Sequence, residues 1–482
     1  MNSPQDGAMT SALQRLATDL STQLPSRAIV TDADAIAPWL IDWRRRYQGH
    51  ADLLIEPEDT AQVQATVRAA VSHGVPLVPQ GGNSSMVGGA TPPADGSAAI
   101  LSLRRMKRMR RLDPAAGLAV AEAGVILADL HEAALSVGQR FPLTLGARGS
   151  ATVGGLVSTN AGGTQVLRFG TMRGLVAGVE VVLPDGSLHD GLSPLKKDNR
   201  GYDLNQLLIG AEGTLGIVTA AALRLVPAVA ARAVAWIALG SPDDALLLLR
   251  QFQAASDAVE SFELMPRESL DAVLAYLPDA RAPVESAAPW HVLVEVTAAD
   301  AAADPVGMVE RVLAAALADG LIADATIAAS EAQADAFWRM RESISDAERA
   351  TGPAAQHDIS VPVDTMPRFM VEAAAACEAR FPGTRASGFG HLGDGNIHFH
   401  VRAPKGSDPA HWYAEQLPVV SAFVHDLVVA AGGSISAEHG IGQMKIGELA
   451  RLSSPARMGA LRAIKQGLDP AWLFNPGKLI AR

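Results

Sequence analysis

Three glycine-rich loops fall within the first half of the chain, and together they limit the fold more than any other feature. The first is Pro79-Gln80-Gly81-Gly82-Asn83-Ser84-Ser85-Met86-Val87-Gly88-Gly89, directly after a short apolar run at 75–78. The second runs from Leu145 through Gly146, Gly149, Ser150, Thr152 and Gly155 to Asn160, Gly162 and Gly163. The third is Gly210-Ala211-Glu212-Gly213-Thr214-Leu215-Gly216-Ile217-Val218. Glycine lets consecutive amides turn toward one point and lets backbone approach a ligand closely. One such loop is an ordinary turn, but three in one domain predict a large, extended anionic cofactor. The first loop is not a P-loop, because no Gly-Lys-Ser/Thr closes it, and the nicotinamide spacing is absent too.

Around these loops the signals alternate between helix and strand. Residues 57–74 predict a helix opened by Asp59 and Gln62 in capping-box spacing and stopped at His73-Gly74. Strand and helix signals continue through 118–121, 126–137, 179–183 and 216–226, so 28–228 is expected to be one mixed α/β cofactor domain. After Pro227 the chain becomes Ala-rich, with helices predicted at 243–259 and 305–318 and a strand at 291–296. That pattern predicts a second domain over 229–430, an antiparallel sheet covered by helices. A helix over 455–466 falls within a C-terminal segment, 431–482. Residues 1–27 are expected to be an unordered tail.

The second chemical signal lies late in the chain. Six of the twelve histidines fall between His391 and His439. They include Gly390-His391-Leu392-Gly393-Asp394-Gly395-Asn396-Ile397-His398-Phe399-His400, followed by Ser436-Ala437-Glu438-His439-Gly440. In extended chain His398 and His400 share one face. Neutral imidazoles with a carboxylate suit zinc or a similar divalent ion and leave a coordination position open. His439 would then be free as a base.

Composition removes other classes. A net charge of −11 excludes a nucleic-acid surface, which needs a basic patch. The one basic run, residues 104–111, is expected to be a solvated strand or loop edge. The lone Cys377 excludes an intramolecular disulfide and a thiolate cluster. No apolar run nears the ~18 residues of a spanning helix, and the first 27 residues carry Asp6 and Asp19 in place of an apolar core. A cytoplasmic protein is expected, with a peripheral membrane location as the alternative.

The loops resemble those of FAD proteins of the vanillyl-alcohol oxidase type. Within that superfamily the chain is similar to the FAD-dependent D-2-hydroxyacid dehydrogenases, with D-2-hydroxyglutarate and D-lactate dehydrogenases as the nearest branches. The likeness spans 30–480 and is most specific at 80–89, 145–173, 196–219, 390–401 and 436–442. It implies an α+β chain: a two-subdomain FAD-binding domain, an antiparallel-sheet cap domain, and a C-terminal segment returning to the first domain. It also implies that the amides of Gln80, Gly81, Gly82, Asn83, Ser84 and Ser85 meet the FAD diphosphate. Gly146, Gly149, Ser150, Thr152, Gly155, Asn160 and Gly162 would line its ribityl chain and ring, Ile217 and Val218 the adenine side, and Asn475 the isoalloxazine. With no evident covalent anchor, non-covalent FAD is expected.

By the same resemblance His391, His398 and Glu438 hold a divalent metal such as zinc, His439 is the active-site base, and Arg341 binds a substrate carboxylate. Locally, Arg341 reads as a surface helix arginine paired with Glu342 or Glu348. Three positions depart from the hydroxyglutarate dehydrogenase pattern: Gln356 replaces a lysine, Ser345 a threonine and His400 an asparagine. Losing a charge-assisted hydrogen bond to a carboxylate costs ~1.5–3 kcal/mol, about one to two powers of ten in affinity. Weak handling of D-2-hydroxyglutarate is therefore expected unless His400 compensates, and D-lactate or a bulkier D-2-hydroxy acid is the alternative. His400 could contact substrate, add a fourth ligand or pack; substrate contact is favoured. The resemblance implies a small 2-hydroxy acid substrate and an electron acceptor such as electron-transfer flavoprotein, a quinone or a cytochrome. It is also compatible with a homodimer. A flavoprotein oxidase or a non-redox flavin lyase of the same fold is the rival from another class.

Overall fold

A computed structural model describes residues 11–482. The helix Thr60–His73 shows how faithfully local chemistry acts. Asp59 accepts the Gln62 amide at 2.9 Å, Gln62 Oε1 reaches back to the Glu58 amide at 3.0 Å, and Gly74 closes the helix at φ 66°. This helix covers a four-stranded sheet ordered Ile29–Val30, Leu54–Ile55, Ala99–Ser102, Leu77–Gln80, with parallel pairing on both sides of Ala99–Ser102. An antiparallel five-stranded sheet follows, ordered Met109–Asp113, Leu118–Glu122, Ile217–Arg224, Val176–Val182, Leu188–Asp190. Each sheet has its own apolar cluster.

The remaining large sheet has seven strands, all antiparallel, from Asp324–Ile327 at one edge to Ala354–Ser360 at the other. Its strand Ala231–Leu239 is apolar at every inner position because helices cover both faces. Ala235, Ile237 and Leu239 face one cluster, while Val234, Trp236 and Ala238 face the other. The C-terminal segment returns to the first sheet: Leu77 donates to Leu473 and Asn475 donates to Leu77, both at 2.8 Å. Buried Lys465 pins that return through Thr214 O, Phe474 O and Asp469.

Three expectations need correction. Residues 11–20 form a helix, Ser11–Leu20, whose Leu13, Leu16 and Leu20 are fully buried, so this part of the N-terminus is packed. The rest of the expected tail, residues 1–10, lies outside the described residues. The helix predicted over 243–259 ends at Ala255, because Val259 pairs with Val296 and starts a strand. The basic run is not simply solvated: Arg108 and Arg110 pair with buried Glu122, Arg110 also with Glu180, and Arg105 with Glu56 and Glu58.

One ion pair fastens the first half to the seven-stranded sheet. Arg140 Nη1 and Nη2 meet Glu260 Oε1 and Oε2 at 2.5 and 2.6 Å, and Thr297 Oγ1 donates to the same carboxylate at 2.5 Å. Arg140→Ala leaves that buried carboxylate with the Thr297 hydroxyl and, among the described residues, Arg168 as its one cation at 3.6 Å. The expected loss is about 3 kcal/mol, the low end for a broken buried pair. Urea unfolding of the two proteins measures it, and a change under ~1 kcal/mol would show the pair to be dispensable.

Candidate active site and cofactor cradle

The three glycine loops and the histidine segment open onto one cavity of about 670 Å³. Of the residues expected to hold cofactor, all but Gly149 and Asn160 line it. Asn160 instead closes the helix Val153–Thr159 at φ 51° and accepts the Arg173 amide, a role within the loop. Two side chains of the first loop are engaged within the protein: Asn83 Nδ2 is spent on Ile41 O, and Ser85 Oγ accepts the amides of Val87 and Gly89. What remains is backbone. Among the described residues no protein acceptor engages the amides of residues 81–86. Thr152 Oγ1, Gln80 Oε1 and Asn475 Oδ1 are also buried without a partner on the cavity wall. Buried unpaired polar groups are costly, so this set fits a ligand of many polar atoms. Gly82 shows why glycine is needed: a Cβ there would sit 1.8 Å from Ser150 O.

The third loop does a second job. Glu212 accepts the amides of Ile441 and Gly442 at 2.7 Å each, clasping the segment that carries Glu438 and His439. Gly162 of the second loop leaves room for Glu438, since a Cβ there would lie 2.8 Å from Glu438 Oε1. The glycine-loop wall and the acid–histidine segment therefore meet directly.

Strands Arg385–His391 and Asn396–Arg402 form a hairpin that sets the histidines. His391 pairs with Asn396, Phe389 with His398 and Ser387 with His400. The turn requires Gly395 at φ 80°, where a Cβ would lie 2.0 Å from Val361 O. His391 Nδ1 is 2.6 Å from Glu263 Oε1, which leaves Nε2 for the cavity. His391, His398, Glu438 and His439 all line that cavity. Among the described residues the tight donor group is Asp358, Glu438 and His439, with ligand atoms within 4.8 Å of one another. It shares Glu438 with the expected metal triad and adds Asp358, which sequence reasoning missed.

Asp358 is a fixed anchor. It accepts the amides of Glu438 and His439 at 2.9 Å each and Asn396 Nδ2 at 2.9 Å, and its Oδ2 lies 3.5 Å from His439 Nδ1. Burial opposes its ionisation, but His439, Lys445 and His398 outweigh this and hold it below the usual carboxylate range. Burial pushes His439 down to about 4, so it is neutral at pH 7, with Asp358 opposing and Lys445 and Arg44 reinforcing. Burial likewise lowers His398. Glu438 is pushed up to about 7 by burial, His391 opposing, with Asp358, Asp394 and Glu263 adding to the rise. A cation among these groups would relieve that penalty. His398 is a neutral donor. Burial opposes protonation of His391, but Glu263 and Asp394 outweigh it and raise this ring to about 9. A divalent ion such as zinc would take the place of the His391 proton, with Glu263 behind the ring.

Arg341 is buried, not a surface residue, and its partner is neither Glu342 nor Glu348. Its Nε donates to Glu263 Oε2 at 2.8 Å, and its Nη2 lies 2.6 Å from the same oxygen. His400 Nδ1 pairs with buried Glu348, which also takes Ser269 Oγ and faces Arg402 at 3.0 Å. Ser345, Gln356 and His400 line the cavity, with Gln356 opposite His400 in the sheet register.

The fold and the cradle define a flavoprotein. A model of FAD binding domains matches residues 51–191, and one of the C-terminal domain of FAD linked oxidases matches 229–479. A probable mitochondrial D-2-hydroxyglutarate dehydrogenase of Oryza sativa subsp. indica is 36% identical over 95% of this chain and 80% of its own length. A D-2-hydroxyglutarate dehydrogenase of Xanthomonas citri pv. viticola is 35% identical over 95% and 96%. A D-2-hydroxyglutarate–pyruvate transhydrogenase of Saccharomyces cerevisiae is 33% identical over 93% and 90%. The chain belongs to the FAD-dependent D-2-hydroxyacid dehydrogenase family. Among solved structures, an alkyldihydroxyacetonephosphate synthase superposes with TM-score 0.73 at 16% identity, covering 99% of this chain and 87% of that one. A p-cresol methylhydroxylase gives 0.72 at 15%, covering 98% and 97%. Both show the fold alone. Among the described residues no helix is long and apolar enough to cross a membrane.

Proposed function

We propose that this chain oxidises a D-2-hydroxy acid to the 2-oxo acid with non-covalent FAD and a divalent metal, and that D-2-hydroxyglutarate, the acid in its relatives' names, is a substrate. The observation that carries this is one cavity wall bearing both the unbonded amides of residues 81–86 and the His391–His398–Glu438–His439 group. FAD, when bound, supplies the acceptor for the α-hydrogen and its electron pair. His391, His398 and Glu438 would hold a divalent ion, which would supply Lewis acidity.

The rest falls to the chain. Arg341 turns Nε and Nη2 toward Glu263 Oε2, at 2.8 and 2.6 Å, and offers Nη1, which has no partner among the described residues, to a substrate carboxylate, with the Phe389 ring 5.0 Å away. His439 takes the hydroxyl proton at Nε2, because its Nδ1 is turned toward Asp358. Asp358 fixes that ring orientation and stabilises the imidazolium. The electron acceptor is an electron-transfer flavoprotein, quinone or cytochrome. The buried lone Cys377 suits a reducing, cytoplasmic setting.

Anaerobic mixing with D-2-hydroxyglutarate should bleach the flavin absorbance, whereas the L-enantiomer should leave it unchanged. A flavin that no D-2-hydroxy acid reduces would point to the non-redox reading. Acid precipitation should release yellow FAD into the supernatant. Colour retained in the pellet would mean a covalent link.

A further inference from the structure

A short loop on the cavity wall carries a charge that no described residue pairs with. Residues 41–48 form a narrow hairpin closed by an Ile41–Gln48 bridge. Buried Asp42 shapes it, with Oδ2 accepting the Arg44 amide at 3.1 Å and Oδ1 the Tyr47 amide at 2.6 Å. Arg45 takes φ 56°, and Asn83 Nδ2 ties the hairpin to the first glycine loop through Ile41 O at 2.9 Å. From the other side Arg349, on the helix Ile344–Ala350 that also bears Ser345, lies 5.4 Å over the Trp43 ring. The backbone and the ring contact fix where the hairpin sits. Trp43 and Arg44 therefore form cavity wall, together with Ser345, Arg349, Gln356 and His439.

Among the described residues the Arg44 guanidinium makes no ion pair and no hydrogen bond. Nearby carboxylates are already engaged: Asp42 by turn amides, Asp346 by Arg349, and Asp358 by two amides and Asn396. Arg46 and Arg349 add like charge around it, and burial with that repulsion lowers Arg44 to about 10, still fully cationic at neutral pH. A partly buried guanidinium among two others, with no anion of its own, is a receptor for an anionic ligand group. Its electrostatic neighbours include Asp358 and His439, which places it at the reacting end of the cavity.

We propose that Arg44 receives the second carboxylate of a dicarboxylic D-2-hydroxy acid while Arg341 holds the other, so that the hairpin replaces the lysine absent at Gln356. This rests on the hydroxyacid reading above. It also revises the expectation of weak D-2-hydroxyglutarate handling, which considered position 356 without position 44. A planar guanidinium can grip a carboxylate at two points, which an ammonium cannot.

The test uses the holoenzyme and Arg44→Met, with two five-carbon substrates that differ in one carboxylate: D-2-hydroxyglutarate and D-2-hydroxyvalerate. The KM for D-2-hydroxyglutarate should rise about ten- to a hundredfold, while that for D-2-hydroxyvalerate stays within about twofold. Adding Gln356→Lys to Arg44→Met should recover a large part of the loss. Equal losses on both acids, or no loss on the dicarboxylate, overturns the assignment. Glutarate titrated against the flavin spectrum decides the same point without turnover, since its Kd should weaken by the same factor in Arg44→Met. Unchanged glutarate affinity overturns the role of Arg44. Weakened affinity in a protein that no D-2-hydroxy acid reduces would keep that role and discard the oxidation instead.

Discussion

His439→Asn is expected to keep its FAD and lose about 10²–10⁴ in the rate of anaerobic flavin reduction by a D-2-hydroxy acid, the usual worth of a positioned base. The chain holds this imidazole for the purpose in three ways. Its amide and that of Glu438 are bound by Asp358, its Nδ1 faces the same carboxylate at 3.5 Å, and burial keeps it neutral. Asparagine can keep the backbone bonds and fill similar space, so the loss should fall on the rate of reduction more than on substrate affinity. Asp358→Asn should lose less rate on the same assay and should also loosen the 436–442 segment, because one carboxylate does both tasks. Stopped-flow reduction with equal FAD content in both variants is the measurement. A His439→Asn rate within tenfold of the unmodified protein would mean that the proton leaves by another route.

The sequence revealed the parts that depend on near neighbours. Asp304 and Pro305 start a helix where they stand, and it runs Pro305–Ala318 as predicted. His398 and His400 share a strand face because strand periodicity is local. The packed helix at Ser11–Leu20 was readable too, since Leu13, Leu16 and Leu20 are spaced for one helical face, but polar flanks hid it. Residues that depend on distant partners were not readable. Glu263 is one of two glutamates in the strand Val259–Pro266, and only folding brings it against His391, 128 positions away. Arg341 had carboxylates beside it in sequence, so its local partners looked sufficient. The fold instead buries it and pairs it with that same Glu263. Arg44 sits in a run of three arginines, residues 44–46. Its lack of an anion becomes visible only when every neighbouring carboxylate can be assigned.

Stripping divalent metal with a chelator should abolish flavin reduction by D-2-hydroxy acids, by about 10² or more, while the FAD absorbance stays in place. The argument is electrostatic. Glu263, Asp358, Asp394 and Glu438 surround two buried histidines, and Arg341 answers Glu263 alone. Burial raises Glu438 toward neutrality, His391 offsets only part of that, and the neighbouring carboxylates add to the rise. An acid so raised takes up a proton as the pH falls through that value, and only its ionised form binds metal. Metal affinity should therefore fall about tenfold per pH unit on the acid side of neutrality from this group alone. Glu438→Gln removes the charge but keeps the shape, so it should lose the metal and flatten that pH dependence, with FAD retained. His391→Ala should lose metal as well and also leave Glu263 with Arg341 as its only partner. Metal content by elemental analysis, read beside the reduction rate at several pH values, tests each step. A metal-free protein that still reduces its flavin at full rate would remove the ion from the mechanism and leave His391 and Glu438 as substrate-facing polar groups.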